Sequence, residues 1–189
     1  MMELVSEAIV FAVQAHDGMR RKASQTPYIL HPMEAAVIVG TMTDDPHLIA
    51  AAVLHDVVED TDTPIEEIGK RFGSRVQALV ASETEEKRPD RPAADTWRIR
   101  KEESLEVLKN AQDDAVLMVW LGDKLANMRS FYREWKRSGN AMWQQFNQKD
   151  VREQAWYYRS IAKLTERLRD TSAWIEYNTL TEIVFKEGE

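Results

Sequence analysis

Apolar residues recur along this chain at intervals of three and four positions, the spacing of one face of a helix. No stretch shows the sustained two-residue alternation of a half-buried strand, and no internal repeat is present. We therefore expect an all-α fold, a compact bundle of six to ten helices. The periodicity predicts helices over residues 4–15, 32–42, 47–60, 64–72, 75–86, 95–110, 113–136, 150–168 and 172–186, with a short piece near 140–146.

Local signals mark where several of these helices begin. Asp45 and Pro46 form a start signal before residues 47–60, whose first half is almost wholly apolar, so we expect this helix to be the most buried. Thr63 followed by Glu66 has the form of a capping box, and Ser74 can cap the next helix. Residues 87–95, which include two prolines, form the one long loop that the pattern predicts.

The composition is that of one ordinary globular domain and excludes several classes of protein. The chain has 189 residues, of which 43% are hydrophobic and 30% charged. Because it has no cysteine, any metal must be held by imidazole and carboxylate groups. A formal net charge of -7 argues against a protein that coats nucleic acid, although a local basic pocket could still bind a small anion. We expect no signal peptide, and no apolar segment reaches about 20 residues, so we expect a cytoplasmic protein.

A single adjacent histidine–aspartate pair, His55 and Asp56, follows the apolar half of the predicted central helix. Helical spacing places Glu59 one turn beyond this pair and Asp60 one turn beyond Asp56. Buried ions need partners, and a divalent cation would offset the repulsion among these carboxylates. The alternative is that acidic residues at a helix end are simply solvated, and this helix alone does not decide between the two.

Two residues elsewhere extend the pair to four candidate metal ligands. Asp123 interrupts an apolar run, which favours a buried role either as a ligand or in a salt bridge. His31 stands beside a proline at the start of a predicted helix, where capping or packing is the alternative role. We leave His16 and His47 outside the metal shell. Two imidazoles with two carboxylates suit Mn²⁺ or Fe²⁺, with Zn²⁺ as a further option.

Three strings in order carry a resemblance to a known family: AHDGMRRKASQTPYILHPMEAAVIV, HLIAAAVLHDVVEDTDTPIEEIGKRFG and LGDKLANMR. They resemble the hydrolase half of the RelA/SpoT alarmone enzymes, and more narrowly the stand-alone small alarmone hydrolases. The resemblance covers about residues 5–130, and the WQQFN and WYY segments extend it towards residue 160. It implies one helical HD domain over residues 1–189, with C-terminal helices over about 140–187 that close the bundle.

The resemblance also implies a reaction and roles for particular residues. The reaction is the Mn²⁺-dependent hydrolysis of guanosine tetra- or pentaphosphate, (p)ppGpp, at the 3′-pyrophosphate, which yields GDP or GTP and pyrophosphate. The implied metal ligands are His31, His55, Asp56 and Asp123, and the pair that handles the attacking water is Glu59 and Asp60. The implied substrate-binding residues are Arg21, expected to pack on guanine, Lys22, Lys124, Asn127, Arg129 and Tyr157.

Two further expectations come with the resemblance. Gly122 stands where the family more often has alanine, and we expect the exchange of one small residue for another to matter little. A chain of 189 residues leaves no room for the synthetase half of the long enzymes, so we expect this protein only to degrade its substrate.

Other functions stay open at this stage. An HD-type 5′-deoxynucleotidase would use the same ligands, but the Glu59–Asp60 and Arg21–Lys22 pairs favour an alarmone enzyme. A nucleotide-binding protein without turnover would be expected to lose one of the six acidic and imidazole positions, and all six are filled. Adenosine alarmones and a tRNA 3′ end are alternative substrates, although the acidic composition disfavours a nucleic-acid partner. A membrane partner is not expected, and a homo-oligomer is compatible with the sequence.

Overall fold

The computed structural model describes residues 3–21 and 25–186, and these residues form the predicted all-helical fold. In this part of the chain the β-type pairing is limited to one isolated antiparallel bridge between Arg20 and Pro27. None of the helices there combines the length and apolar character that a membrane span requires. The α-helices are α1 (Leu4–Ala15), α2 (Leu30–Gly40), α3 (Pro46–Leu54), α4 (Val57–Asp60), α5 (Ile65–Phe72), α6 (Ser74–Glu83), α7 (Ala93–Asn110), α8 (Asp114–Ser138), α9 (Val151–Leu164) and α10 (Ser172–Val184), with 3₁₀ helices at Gly139–Gln145 and Glu166–Leu168.

The longest helix, α8, packs against α2, α3, α6 and α10. Its apolar residues belong to two hydrophobic clusters, so that Trp120 lies in one and Val119 in the other. The first cluster also contains residues of α9 and α10, and the second contains residues of α1, α3, α5 and α6. Packing on both sides fixes the middle of α8, where Asp123 is buried.

The helices α2 and α8 approach each other closely at Gly122. A Cβ atom at this position would lie 2.6 Å from Val39 Cγ2 and 3.0 Å from the carbonyl oxygen of Ala35. The expectation that alanine could stand here at little cost is therefore wrong for this chain, because Val39 already fills the space. The close approach holds the helix that carries His31 against the helix that carries Asp123.

The predicted helix over residues 47–60 is interrupted at the His55–Asp56 pair. Helix α3 ends at Leu54, and the short helix α4 begins at Val57. The Nδ1–H group of His55 donates to the carbonyl oxygen of Ala52, which the amide of Asp56 would use in a continuous helix. The interruption turns both side chains of the pair towards the same point.

The predicted helix-start signals have different outcomes. The Asp45 cap is confirmed, because its Oδ1 accepts a hydrogen bond from the amide of His47 at 2.9 Å. The Thr63 cap is wrong: helix α5 begins at Ile65 without a side-chain cap, and Thr63 pairs with Thr61 instead. The Ser74 cap is also wrong, because Ser74 is the first residue of α6 and the preceding Gly73 has φ +89°.

Candidate active site

Three segments that are distant in the sequence bring polar side chains together at one buried point. His31 comes from the first turn of α2, His55 and Asp56 from the junction of α3 and α4, and Asp123 from α8. His31 Nε2 lies 2.9 Å from Asp123 Oδ1 and 3.5 Å from Asp56 Oδ2. His55 Nε2 lies 3.2 Å from Asp56 Oδ2 and 3.5 Å from Asp123 Oδ1. We call these four residues the ligand set.

The orientation of His55 suits a metal ligand. Its Nδ1–H donates to Ala52 O at 2.8 Å, which directs Nε2, the atom through which it could bind a cation, towards the two carboxylates. That Nε2 atom is buried and makes no hydrogen bond within the described residues. Ligand atoms of His31, His55 and Asp123 lie within 4.8 Å of one another and could hold a metal ion. Nitrogen and carboxylate ligands at this spacing fit a divalent cation.

Neighbouring charges set the ionisation of the two aspartates in the ligand set. Burial alone would raise the pKa of Asp123, but Lys124 and the two imidazoles hold it well below its usual range. Burial would likewise raise the pKa of Asp56, and the two histidines lower it. Both carboxylates are therefore ionised at neutral pH, as metal ligands must be.

Glu59 and Asp60, the predicted acid–base pair, lie on α4 beside the ligand set. The hydroxyl group of Tyr28 lies 2.7 Å from Asp56 Oδ2 and 2.5 Å from Asp60 Oδ2, so it joins the ligand set to this pair. Burial raises the pKa of Glu59 to about 7, and repulsion from Asp56 and other nearby carboxylates adds to the shift. A carboxyl group that titrates near neutral pH can accept a proton from water and release it again.

A cleft of about 790 Å³ opens beside the ligand set, with Arg21, Tyr28, His31 and Asn127 among its lining residues. Arg21 Nη2 donates to Asn127 Oδ1 at 2.7 Å, and Asn127 Nδ2 donates to Asp123 Oδ1 at 2.7 Å. Hydrogen bonds therefore run from the cleft wall to the ligand set. Lys22, the other member of the predicted basic pair, lies outside the described residues.

Lys124 faces carboxylates and is not among the residues that line the cleft. Its ammonium group pairs with Asp123, and it lies 3.4 Å from Glu83 Oε2. Burial raises the pKa of Glu83 to about 8, although Lys124 acts in the opposite direction. In this structure Lys124 therefore neutralises charge beneath the ligand set.

The structure does not bring Arg129 or Tyr157 to the cleft. The guanidinium of Arg129 binds Glu176 on α10 at 2.6 Å and Glu34 on α2 at 3.3 Å, so it ties three helices together. Tyr157 is 2% exposed and packs its ring against Trp97 in the hydrophobic cluster of α8, α9 and α10. Neither residue is among those that line the cleft.

Two residues at the site were missed by sequence reasoning. Tyr28 lies in the PYILHP string three positions before His31, but it precedes both the predicted helix and α2, so no helical spacing marked it. Lys87 lies on the loop after α6, and its ammonium group is 2.7 Å from Asp60 Oδ1. No local pattern marks Lys87, because its partner is 27 residues away in the chain.

Comparison with known proteins decides the family. Residues 8–150 match the HD domain family. The chain is an HD-domain protein. This HD domain is 36% identical over 137 residues to a guanosine-3′,5′-bis(diphosphate) 3′-pyrophosphohydrolase of Aquifex aeolicus. It is 39% identical over 139 residues to a GTP pyrophosphokinase of Brucella ovis.

Each of these two matches covers 71% of the HD-domain chain but only 19% and 18% of the respective relative. The chain thus spans about a fifth of the length of the curated relatives it matches. Among solved structures, a metazoan ortholog of SpoT that hydrolyses ppGpp has the same fold, with a TM-score of 0.71 and 24% identity. That similarity covers 97% of this HD domain and 96% of the other chain.

Proposed function

We propose that this HD domain is a Mn²⁺-dependent hydrolase that removes pyrophosphate from the 3′ position of guanosine tetra- or pentaphosphate. The observation that carries the proposal is the pair of hydrogen bonds from Arg21 through Asn127 to Asp123. These two hydrogen bonds join a cleft wall suited to a nucleotide directly to the ligand set. The relative of Aquifex aeolicus carries the name of this activity and is similar over 71% of the chain.

The ligand set His31, His55, Asp56 and Asp123 would hold the cation. Two imidazole nitrogens and two carboxylate oxygens suit Mn²⁺, and Fe²⁺ or Zn²⁺ would also be accepted. When bound, the cation would make water more acidic and polarise a phosphoryl oxygen.

The protein's own groups supply the remaining chemistry. Glu59, with a pKa of about 7, accepts the proton of the attacking water. A bond then forms between the water oxygen and the phosphorus next to the ribose, while the bond from that phosphorus to the 3′ oxygen breaks. The 3′ oxygen gains a proton, and pyrophosphate leaves. The planar guanidinium of Arg21 suits stacking on the purine, which places the 3′ end of the nucleotide towards Asp123.

The test is turnover of guanosine tetraphosphate by the purified protein with Mn²⁺, followed by chromatography of the products. We expect GDP and pyrophosphate in equal amounts. Release of orthophosphate alone, or no turnover with any divalent metal, would contradict the proposal. Parallel reactions with adenosine tetraphosphate and a deoxynucleoside monophosphate distinguish the substrate classes that share this ligand set.

Two variants separate the roles of neighbouring carboxylates in this assay. Asp56→Ala should lose bound metal and activity together, because Asp56 belongs to the ligand set. Glu59→Ala should retain the metal and lose turnover, because Glu59 handles a proton. Glu106→Gln is the matched control, since Glu106 is exposed and its partners in the described part of the chain are neighbours on α7. Equal loss of metal in both site variants would place Glu59 among the ligands instead.

A further inference from the structure

The ammonium group of Lys87, on the loop after α6, contacts the C-terminal end of α4, the helix that carries Glu59 and Asp60. Lys87 Nζ donates to Asp60 Oδ1 at 2.7 Å and to the backbone carbonyl oxygen of Glu59 at 2.5 Å. Tyr28 binds the other oxygen of Asp60 at 2.5 Å. Both oxygens of the Asp60 carboxylate are therefore engaged, and its orientation is fixed from two sides.

The loop that carries Lys87 is anchored by a buried ion cluster. The carboxylate of Glu85 is 7% exposed, and it pairs with Arg100 at 2.6 Å and with Lys101, both on α7. The backbone N–H of Glu85 also donates to Glu59 Oε2 at 3.5 Å. This anchoring places residues 85–87 against α4 and brings the ammonium group of Lys87 to Asp60.

The helix α4 is held by packing on its apolar side, where Val57 and Val58 contact the second hydrophobic cluster, whereas Glu59 and Asp60 depend on polar contacts for their positions. It comprises four residues and leaves its C-terminal carbonyl groups without helical partners, and a cation is favourable at such an end. Burial alone would lower the pKa of Lys87, but hydrogen bonding to Asp60 raises it, so the side chain is an ammonium ion. Since half of the side chain is exposed, the ion pair contributes little to global stability.

We propose that Lys87 is a positioning residue for the hydrolysis. This inference rests on the proposed function. By binding Asp60 and the carbonyl of Glu59, Lys87 fixes α4 so that the Glu59 carboxyl group is held beside the ligand set. Loss of this contact should leave metal and nucleotide binding intact, because Lys87 belongs neither to the ligand set nor to the residues that line the cleft.

The experiment compares Lys87→Met and Lys87→Arg with Lys109→Met, because the exposed ammonium group of Lys109 pairs with Glu106 alone among residues 3–21 and 25–186. For guanosine tetraphosphate with saturating Mn²⁺, Lys87→Met should lower kcat by about tenfold or more, as expected for loss of a charged hydrogen bond. The KM and the Mn²⁺ affinity should stay within about twofold of wild type. Lys87→Arg should recover most of kcat, because a guanidinium can also pair with a carboxylate.

Hydrogen exchange of the backbone amides of Asp60 and Thr61, which close the turn of α4, gives a readout independent of turnover. Exchange should be faster by about threefold or more in Lys87→Met and unchanged in Lys109→Met. An unchanged kcat, a kcat loss that arginine does not recover, or a large rise in KM would overturn the proposal. If the wild type does not hydrolyse the nucleotide, the proposed function fails, and exchange at α4 still decides whether Lys87 positions the helix.

Discussion

The hydroxyl group of Tyr28 donates a hydrogen bond to Asp60, with 2.5 Å between its oxygen and Oδ2. The same hydroxyl lies 2.7 Å from Oδ2 of Asp56, so a single proton lies between two carboxylates with different predicted tasks. Asp56 belongs to the ligand set, whereas Asp60 neighbours Glu59, the proposed proton acceptor. Tyr28 therefore fixes the distance between the metal-binding and acid–base halves of the site.

Tyr28→Phe should lower kcat by about tenfold or more, because a hydrogen bond to a charged group is worth about 1.5–3 kcal/mol. The variant should still bind Mn²⁺, since all four ligands remain. Steady-state kinetics and the metal content of the protein check both parts. Tyr132→Phe is the control, because Tyr132 stacks on Trp135 and is not among the residues that line the cleft. Similar activity in the two variants would show that the Tyr28 hydroxyl is not needed.

The close approach of α2 and α8 at Gly122 leads to a second prediction. Gly122→Ala should destabilise the protein by about 1–3 kcal/mol, because a Cβ atom 2.6 Å from Val39 Cγ2 forces α2 and α8 apart. This effect should exceed the gain of about 1 kcal/mol in helix propensity. It should also weaken Mn²⁺ binding, because His31 and Asp123 lie on the two separated helices. Urea unfolding and metal titration measure the two effects.

Gly40→Ala is a matched control at the end of α2, where the nearest atom to a new Cβ is Ile49 Cδ1 at 4.0 Å. It should be neutral or slightly stabilising. The added substitution Val39→Ala should relieve part of the clash in Gly122→Ala. If Gly122→Ala is as stable as wild type, the space beside Val39 is larger than the structure indicates.

His16 gives a prediction about pH. It is 3% exposed, and neither ring nitrogen makes a hydrogen bond within the described residues. Burial lowers the pKa of His16 below its ordinary value, and Asp56 and Asp60 offset this only in part. The unfolded chain therefore binds the proton more readily, and stability is lost as pH falls from about 6.5 towards the lowered pKa.

In metal-free His16→Phe this loss should be absent. The difference in unfolding free energy between pH 8 and pH 5.5 should be smaller than in wild type. Urea unfolding at the two pH values measures it. The same measurement on His47→Gln, which removes a partly buried imidazole that lies 3.1 Å from Asp45, tests whether the effect is specific to His16. An unchanged pH dependence in His16→Phe would mean that the His16 imidazole has a proton partner in the folded protein.

Much of the fold was predictable because each helix carries its own apolar periodicity. The ligand set was also predictable in part, since the His55–Asp56 pair and the buried Asp123 are unusual in their local surroundings. The break at His55 was not, because it depends on one side chain competing for the carbonyl of Ala52. Lys87 was missed for a different reason: it reaches Asp60 from a loop whose position is set by the ion cluster at Glu85.

For the predicted substrate-binding residues, too, the sequence predicted only part of what the structure shows. Arg21 and Asn127 meet in the cleft, as their implied roles require. Arg129 instead binds Glu34 and Glu176, which no spacing in the sequence connects to it. Charge and position in a motif therefore identified candidate substrate-binding residues. Acidic partners on other helices determine where each basic side chain lies.

The ligand set predicts how the protein responds to metal. Asp123 is buried and Asp56 is partly buried beside the two imidazoles, and a cation that binds only the folded chain stabilises it by mass action. At a Mn²⁺ concentration of about 100 times Kd the gain is about 2.7 kcal/mol, which corresponds to a rise in Tm of about 5–10 °C for a chain of this length. Differential scanning fluorimetry after chelation, with and without Mn²⁺, measures the rise.

Mg²⁺ at the same concentration should raise Tm less, because it prefers oxygen ligands and two of the four here are imidazoles. Asp123→Asn should abolish the Mn²⁺ shift relative to its own metal-free Tm, since a neutral amide is a poorer ligand than a carboxylate. Glu106→Gln, on the exposed face of α7, should keep the full shift. A shift that persists in Asp123→Asn would locate the stabilising ion elsewhere on the molecule and remove the main support for the ligand set.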